Sequence, residues 1–182
     1  MRFSVLGSSS SGNCIYIETD EVRILLDAGF SGKRIEQMLQ VHGVHPSLLS
    51  GIVVTHEHID HVKGVGVLTR KYRLPVYAND KTWQQLPALI GEVEEELRRV
   101  FATGKAFSIG DLELESFPTS HDAAEPVGFC VYHGEAKLGV ATDLGYVSQH
   151  NVEKLLDAHC LVFEANHDVE MLLTGPYPWE VK

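Results

Sequence analysis

The chain has 182 residues, 44% hydrophobic and 22% charged, which is enough to bury one sizeable core, and nothing in the balance suggests disorder. Lys and Arg number 15 against 25 Asp and Glu, and the formal charge of −10 excludes broad, non-specific attraction to nucleic acid or an anionic membrane unless bound cations reverse the field locally. Three dispersed cysteines without a C-x-x-C pair make a poor disulfide framework, and there is neither a signal-peptide apolar region nor a membrane-spanning run, so a cytoplasmic protein with no membrane partner is expected.

In chain order, the opening reads as strands with tight connections: Arg2–Leu6, Cys14–Glu18, a turn at Thr19-Asp20-Glu21, then Val22–Leu26 running into Asp27-Ala28-Gly29. Ser31 is a helix N-cap, Ile35, Met38, Leu39 and His42 recur at helical spacing, and Gly43 stops the helix. The apolar run Gly51–Thr55 predicts a buried strand that delivers the chain into His56. A helix over His61–Tyr72, a strand at Pro75–Ala78 and a helix from about Asp80 follow, with Pro87 expected to end or kink the last. Glu92–Arg99 reads as an exposed helix with Glu94/Arg98 and Glu95/Arg99 pairs. The second half is strand-rich, with strands at Ala106–Ile109, Leu112–Phe117, Val127–Tyr132 and Lys137–Thr142. A helix over Ser148–His159, a strand over Leu161–Ala165 and a helix from near Asp168 complete it. This order, without a clean βαβ rhythm, predicts one α/β (α+β) domain over residues 1–182, an αββα sandwich of two mixed sheets flanked by helices.

The segment Thr55-His56-Glu57-His58-Ile59-Asp60-His61 places three imidazoles and, with Glu57, the carboxylate of Asp60 directly after that buried strand, a concentration that rarely has a packing reason. Alternate residues of an extended stretch share a face, so His56 and His58 can converge on one ion while Asp60 and His61 turn toward another. A zinc-protease H-E-x-x-H helix is excluded by Asp60, and a zinc deaminase by the lack of a later P-C-x-x-C. His121 and Asp143 each follow a strand, where sites are commonly built; singly, either residue is more often a turn former.

Asp27 after a strand, the H-x-H-x-D-H run, the isolated His121 and Asp143 at a strand end together resemble the metallo-β-lactamase superfamily. By that resemblance His56, His58 and His121 bind a first metal, Asp60 and His61 a second, and Asp143 bridges both; Asp27 orients a ligating histidine from behind. True β-lactamases carry other residues at position 143, which counts against antibiotic hydrolysis. A finer resemblance is to the WalJ/YycJ exonuclease subfamily, carried by Gly7-Ser8-Ser9-Ser10-Ser11-Gly12-Asn13, His121-Asp122-Ala123, Thr142-Asp143-Leu144-Gly145 and Glu164-Ala165-Asn166-His167-Asp168. It implies metal-dependent digestion of DNA from the 5′ end. The serine run has the glycine spacing of a P-loop, but Asn13 and Cys14 replace its Lys and hydroxyl residue. It is either a tight inter-strand loop or a phosphate contact. The chain departs from the superfamily in lacking the C-terminal histidine that completes the second metal site, so a C-terminally incomplete sandwich is expected, unless another group serves. His167 is the available substitute, with a proton-donating or helix-capping role as its other readings.

The expected reaction is phosphodiester cleavage by a metal-bound hydroxide, with Asp60 orienting it and His167 protonating the leaving oxygen. His and carboxylate ligands without thiolate suit two divalent ions, Zn or Mn. Two rival readings use the same motif: a small-molecule ester or thioester hydrolase of glyoxalase II type, and a non-catalytic metal-binding interaction domain.

Overall fold

The computed structural model describes residues 1–164 and Thr174. Strands β1 (Arg2–Gly7), β2 (Cys14–Glu18), β3 (Arg23–Leu26), β4 (Gly51–Val53), β5 (Val76–Ala78) and β6 (Arg98–Val100) form one sheet in that order, antiparallel as far as β3 and parallel beyond it. The second sheet runs β11 (Cys160–Phe163), β10 (Ala136–Ala141), β9 (Val127–His133), β8 (Leu112–Pro118), β7 (Ala106–Ile109), with β10 and β11 parallel and the other pairs antiparallel.

The two-residue period of a strand sorts its side chains between layers. Ile15, Ile17, Ile24, Leu26 and Val53 point to the second sheet and pack with Leu112, Leu114, Phe129, Val131, Leu138 and Val140, making the core between the sheets. Their neighbours Cys14, Tyr16, Leu25 and Ile52 face the other way, toward helices α1 (Gly32–Val41), α3 (Val65–Tyr72) and α4 (Asp80–Ile90), through Ile35, Leu39, Leu68 and Leu86. On the far side Phe117, Cys130 and Ala141 meet Leu155 of α5 (Gln149–Leu155). This is the expected αββα sandwich. Truncating the fully buried Phe129 to Ala would cost about 3–5 kcal/mol by lost contacts and the cavity left.

Four expectations need correction. His61–Tyr72 is two helices, α2 (Ile59–Val62) and α3, because Gly64 N donates to Ala28 O at 2.8 Å and leaves no room for a side chain against Phe30 O. Of the two outcomes expected for Pro87, the ending is overturned: it lies inside α4, which continues to Ile90. Glu92–Arg99 is no helix: Glu95–Leu97 is a 3-10 turn, and Arg98–Val100 pairs with β5. Long-range partners decide it, since Arg73 pairs with Glu94 and Glu96, and Arg98 lies 5.5 Å over the Trp83 ring while bonding Glu92 at 2.9 Å. The helix expected over Ser148–His159 is shorter, capped by Ser148 and ended at Leu155, and β11 stops at Phe163. The helix expected from Asp168 lies outside the described residues.

Candidate metal centre

The site forms where the ends of β3 and β4 in one sheet meet loops from the second. Asp27 leaves β3 at a φ of 60°, an αL conformation that Asp tolerates better than most residues. It donates its backbone N–H to Val53 O at 2.8 Å, so the parallel pairing of β3 and β4 carries it to the start of the histidine run. Its carboxylate accepts from Thr55 N at 2.9 Å, from the Thr55 hydroxyl at 2.8 Å and from His61 Nδ1 at 2.8 Å, which compensates its burial. The chain then turns into α2, bringing His61 back beneath His56 with ring centroids 4.1 Å apart.

From the second sheet, the loop after β8 supplies His121 and the loop after β10 supplies Asp143, itself at a φ of 55°. Ser120 laces the two loops: its hydroxyl accepts from Tyr146 N at 2.8 Å and its carbonyl from Gly145 N at 2.7 Å. Glu57 reaches across to accept from Ala124 N at 2.7 Å, and Val127 N donates to Thr55 O at 3.2 Å.

His56, His58 and His121 form a three-bladed arrangement, centroids 4.7, 4.8 and 4.9 Å apart and planes near perpendicular, with a ligand nitrogen of each within 4.8 Å of the others. A second group, His56, His61 and Asp143, meets the same distance limit. His56 belongs to both. Thr55 Oγ1, whose proton is committed to Asp27, is 3.0 Å from His56 Nδ1 and accepts its N–H, leaving Nε2 as the lone-pair nitrogen. One Nε2 cannot ligate two ions, so the groups compete for it.

The donor set fits a divalent cation. Among the described residues His56 Nε2 is buried without a partner; Asp143 Oδ2 is also buried, 2.9 Å from His61 Nε2 but outside hydrogen-bond geometry. Orphaned acceptors of this kind are costly unless a cation or donor meets them. Burial, reinforced by the charge on His61, pushes the His56 imidazole down to about 2. Burial also disfavours charge on His61, but the carboxylates of Asp27 and Asp143 outweigh it and hold its pKa up at about 10. Burial raises Asp143 while His61 beside it prevails and keeps its carboxyl down at about 2. The site thus retains a positive charge that a bound cation would supply instead, with a proton displaced from His61.

Asp60 stands at the rim, a quarter exposed, with Oδ2 3.7 Å from His61 Nε2, and belongs to neither tight group. His167 lies outside the described residues. The sequence reading gave no role to Asn13, yet its Nδ2 lies 3.3 Å from Asp60 Oδ2 and 3.0 Å from His61 Nε2, and its backbone N donates to Asp60 O at 2.7 Å. Its place after a two-glycine serine loop was the available signal. Glu164, to which the sequence also assigns no role, accepts from Leu144 N at 3.1 Å beside Asp143.

Residues 22–177 match the family described as Beta-lactamase superfamily domain. Among curated relatives, Exodeoxyribonuclease YycJ of Bacillus anthracis is 49% identical over 182 residues, all of this chain and 69% of that protein. Exodeoxyribonuclease WalJ of Streptococcus pneumoniae is 42% identical over 183 residues, with 100% of this chain and 68% of that protein covered. The fold superposes on the crystal structure of Zn(2+)-bound PqqB from Methylobacterium extorquens with a TM-score of 0.75 at 19% identity, over 91% of this chain and 64% of that one. Among the described residues no helix is long and apolar enough to cross a membrane.

Proposed function

We propose that this chain, which belongs to the beta-lactamase superfamily and is a metal-dependent hydrolase, cleaves the phosphodiester linkages of DNA as an exonuclease acting from the 5′ end. The observation that carries the reading is the convergence of His56, His58, His121, His61 and Asp143 on one rim of the sandwich, with buried acceptors that lack partners among the described residues. The nucleic-acid substrate is supported by the exodeoxyribonuclease names of the relatives matched along the whole chain. We take residues 1–182 as one domain, a reading supported by the core shared between the sheets.

His56, His58 and His121 would hold one divalent ion, Zn or Mn. Asp60, His61 and Asp143 would hold a second, with Asp143 bridging. Bound there, such ions lower the pKa of water and neutralise charge developing on phosphoryl oxygens. Asp27 fixes the ring of His61 through Nδ1 so that Nε2 faces the site, and Thr55 does the same for His56. Asn13 holds Asp60 by Oδ2, and the carboxylate so placed would orient the attacking water as well as hold the ion. His167 is proposed to protonate the leaving oxygen.

The test is nucleotide release from 5′- and 3′-labelled duplex DNA by protein reconstituted with Zn or Mn, run beside a thioester substrate. Mononucleotides released from the 5′ end, and lost in Asp60→Ala with its unfolding temperature retained, are expected. Thioester turnover without nucleotide release would transfer the assignment to a glyoxalase II type hydrolase. Neither activity, with metal bound, would leave a binding domain.

A further inference from the structure

Beside the metal centre lies a cleft of about 130 Å³ whose lining includes Ser8, Ser9, Ser10, Asp60, Asp143 and Glu164. We infer that the Ser8–Ser10 loop is a phosphate subsite that takes the terminal 5′-phosphate of a DNA strand whose first linkage lies at the metal centre, an inference resting on the nuclease reading above.

The loop is a fixed structure. Gly12 N donates to Ser9 O at 2.9 Å, Ser11 N to the Ser9 hydroxyl at 3.2 Å, and Asn13 N to Asp60 O at 2.7 Å, so the serine turn is tied by backbone to the metal-binding segment. A Cβ at Gly7 or Gly12 would stand 2.5 or 2.8 Å from the ring of Phe30, on which the loop rests. These contacts account for the two glycines, for Asn13 and for one serine hydroxyl. They do not account for Ser8 and Ser10, which are exposed, line the cleft and have hydroxyls without a protein partner among the described residues.

Charge explains why hydroxyls would serve here. No Lys or Arg is among the described residues that line the cleft. A fixed cation there would pair with Asp60 or Asp143 and withdraw them from a metal ion, whereas neutral O–H donors bind phosphate oxygens without that competition. At about 130 Å³ the cleft is well below the roughly 300 Å³ at which small-molecule pockets begin, a size that suits a phosphate with its water.

The experiment measures binding by fluorescence anisotropy, using 3′-labelled DNA oligonucleotides with an uncleavable first linkage, bearing either a 5′-phosphate or a 5′-hydroxyl. Two hydrogen bonds predict about tenfold tighter binding of the phosphorylated strand by the wild type, and a Ser8→Ala/Ser10→Ala protein of unchanged metal content should lose most of that preference. Equal binding of both strands by the wild type overturns the subsite whether or not the variant folds, and so does full preference in the variant. A stronger preference for a 3′-phosphorylated strand also overturns it. Inorganic phosphate that binds while the two strands are not distinguished would mark a free-phosphate site and overturn the assignment to a strand end. Cleavage of DNA without end preference removes the subsite alone; end preference without cleavage keeps the subsite and removes the nuclease reading.

Discussion

His61 Nδ1 lies 2.8 Å from Asp27 Oδ2, and both side chains are almost wholly out of solvent. The carboxylate selects the tautomer of His61 that presents Nε2 to the site, and groups behind metal ligands typically carry 10–100-fold in affinity. Asp27→Asn should therefore weaken metal binding by about that factor, and Thr55→Val, which removes a hydroxyl shared by Asp27 and His56, should weaken it in the same direction. Competition against a chromophoric chelator measures both; affinity unchanged in Asp27→Asn would show that His61 is held by packing alone.

Gly29 has no room for a side chain: a Cβ would sit 1.6 Å from Asp60 O and 2.7 Å from Asn13 N. Because the obstacle is backbone, Gly29→Ala must push the Asp60 segment away. Overpacking of this kind costs about 1–3 kcal/mol, and the variant should show a lowered unfolding temperature together with weaker metal binding. A loss of stability with metal affinity intact would mean that the strain relaxes away from the site.

Chelation should lower the unfolding temperature. An ion at 100 times its Kd contributes about 2.7 kcal/mol, which for a chain of this size corresponds to roughly 5–11 °C. Thermal melts with and without EDTA measure it, with His121→Ala as the control in which the shift should shrink.

Much of the site was legible because its signals are local in sequence: Gly51–Val53 is a short apolar run, and the histidines follow it at alternating positions. His121 and Asp143 stand out as polar residues after strands and Asp27 through the family resemblance; the parallel pairing of β3 with β4 carries Asp27 to the start of the histidine run. Asn13 was not legible as a site residue. Its contacts to Asp60 and His61 span 47 and 48 positions and depend on a close approach that Gly29 permits. The segment Glu92–Arg99 misled for the same reason: its i,i+4 charges suit a helix, but Arg73, Trp83 and β5, all distant in sequence, supply the partners that decide it.

At the far end of the sandwich, the Thr19 hydroxyl in the β2–β3 turn donates to Asp111 Oδ1 at 2.7 Å in the β7–β8 turn, and His133 lies 3.0 Å from Oδ2. The Thr19 bond, with help from His133, holds the Asp111 carboxyl below its ordinary value. Its contribution to stability is present above the unfolded carboxylate range and is lost as pH falls through the lowered folded value. Thr19→Val should raise the Asp111 pKa in an NMR titration and move acid unfolding to higher pH. An unmoved titration would assign the shift to His133.

The two polar junctions turn the sandwich into something like a book. Thr19 and Asp111 act as the spine, while the opposite edge is joined by the Val127 to Thr55 bond and by whatever ion the histidines and Asp143 grip from their two covers. A cation held there by residues of both covers would be a latch as well as a reagent: it would limit how far the covers part, and with it how easily the amide of Val127 exchanges its hydrogen with water.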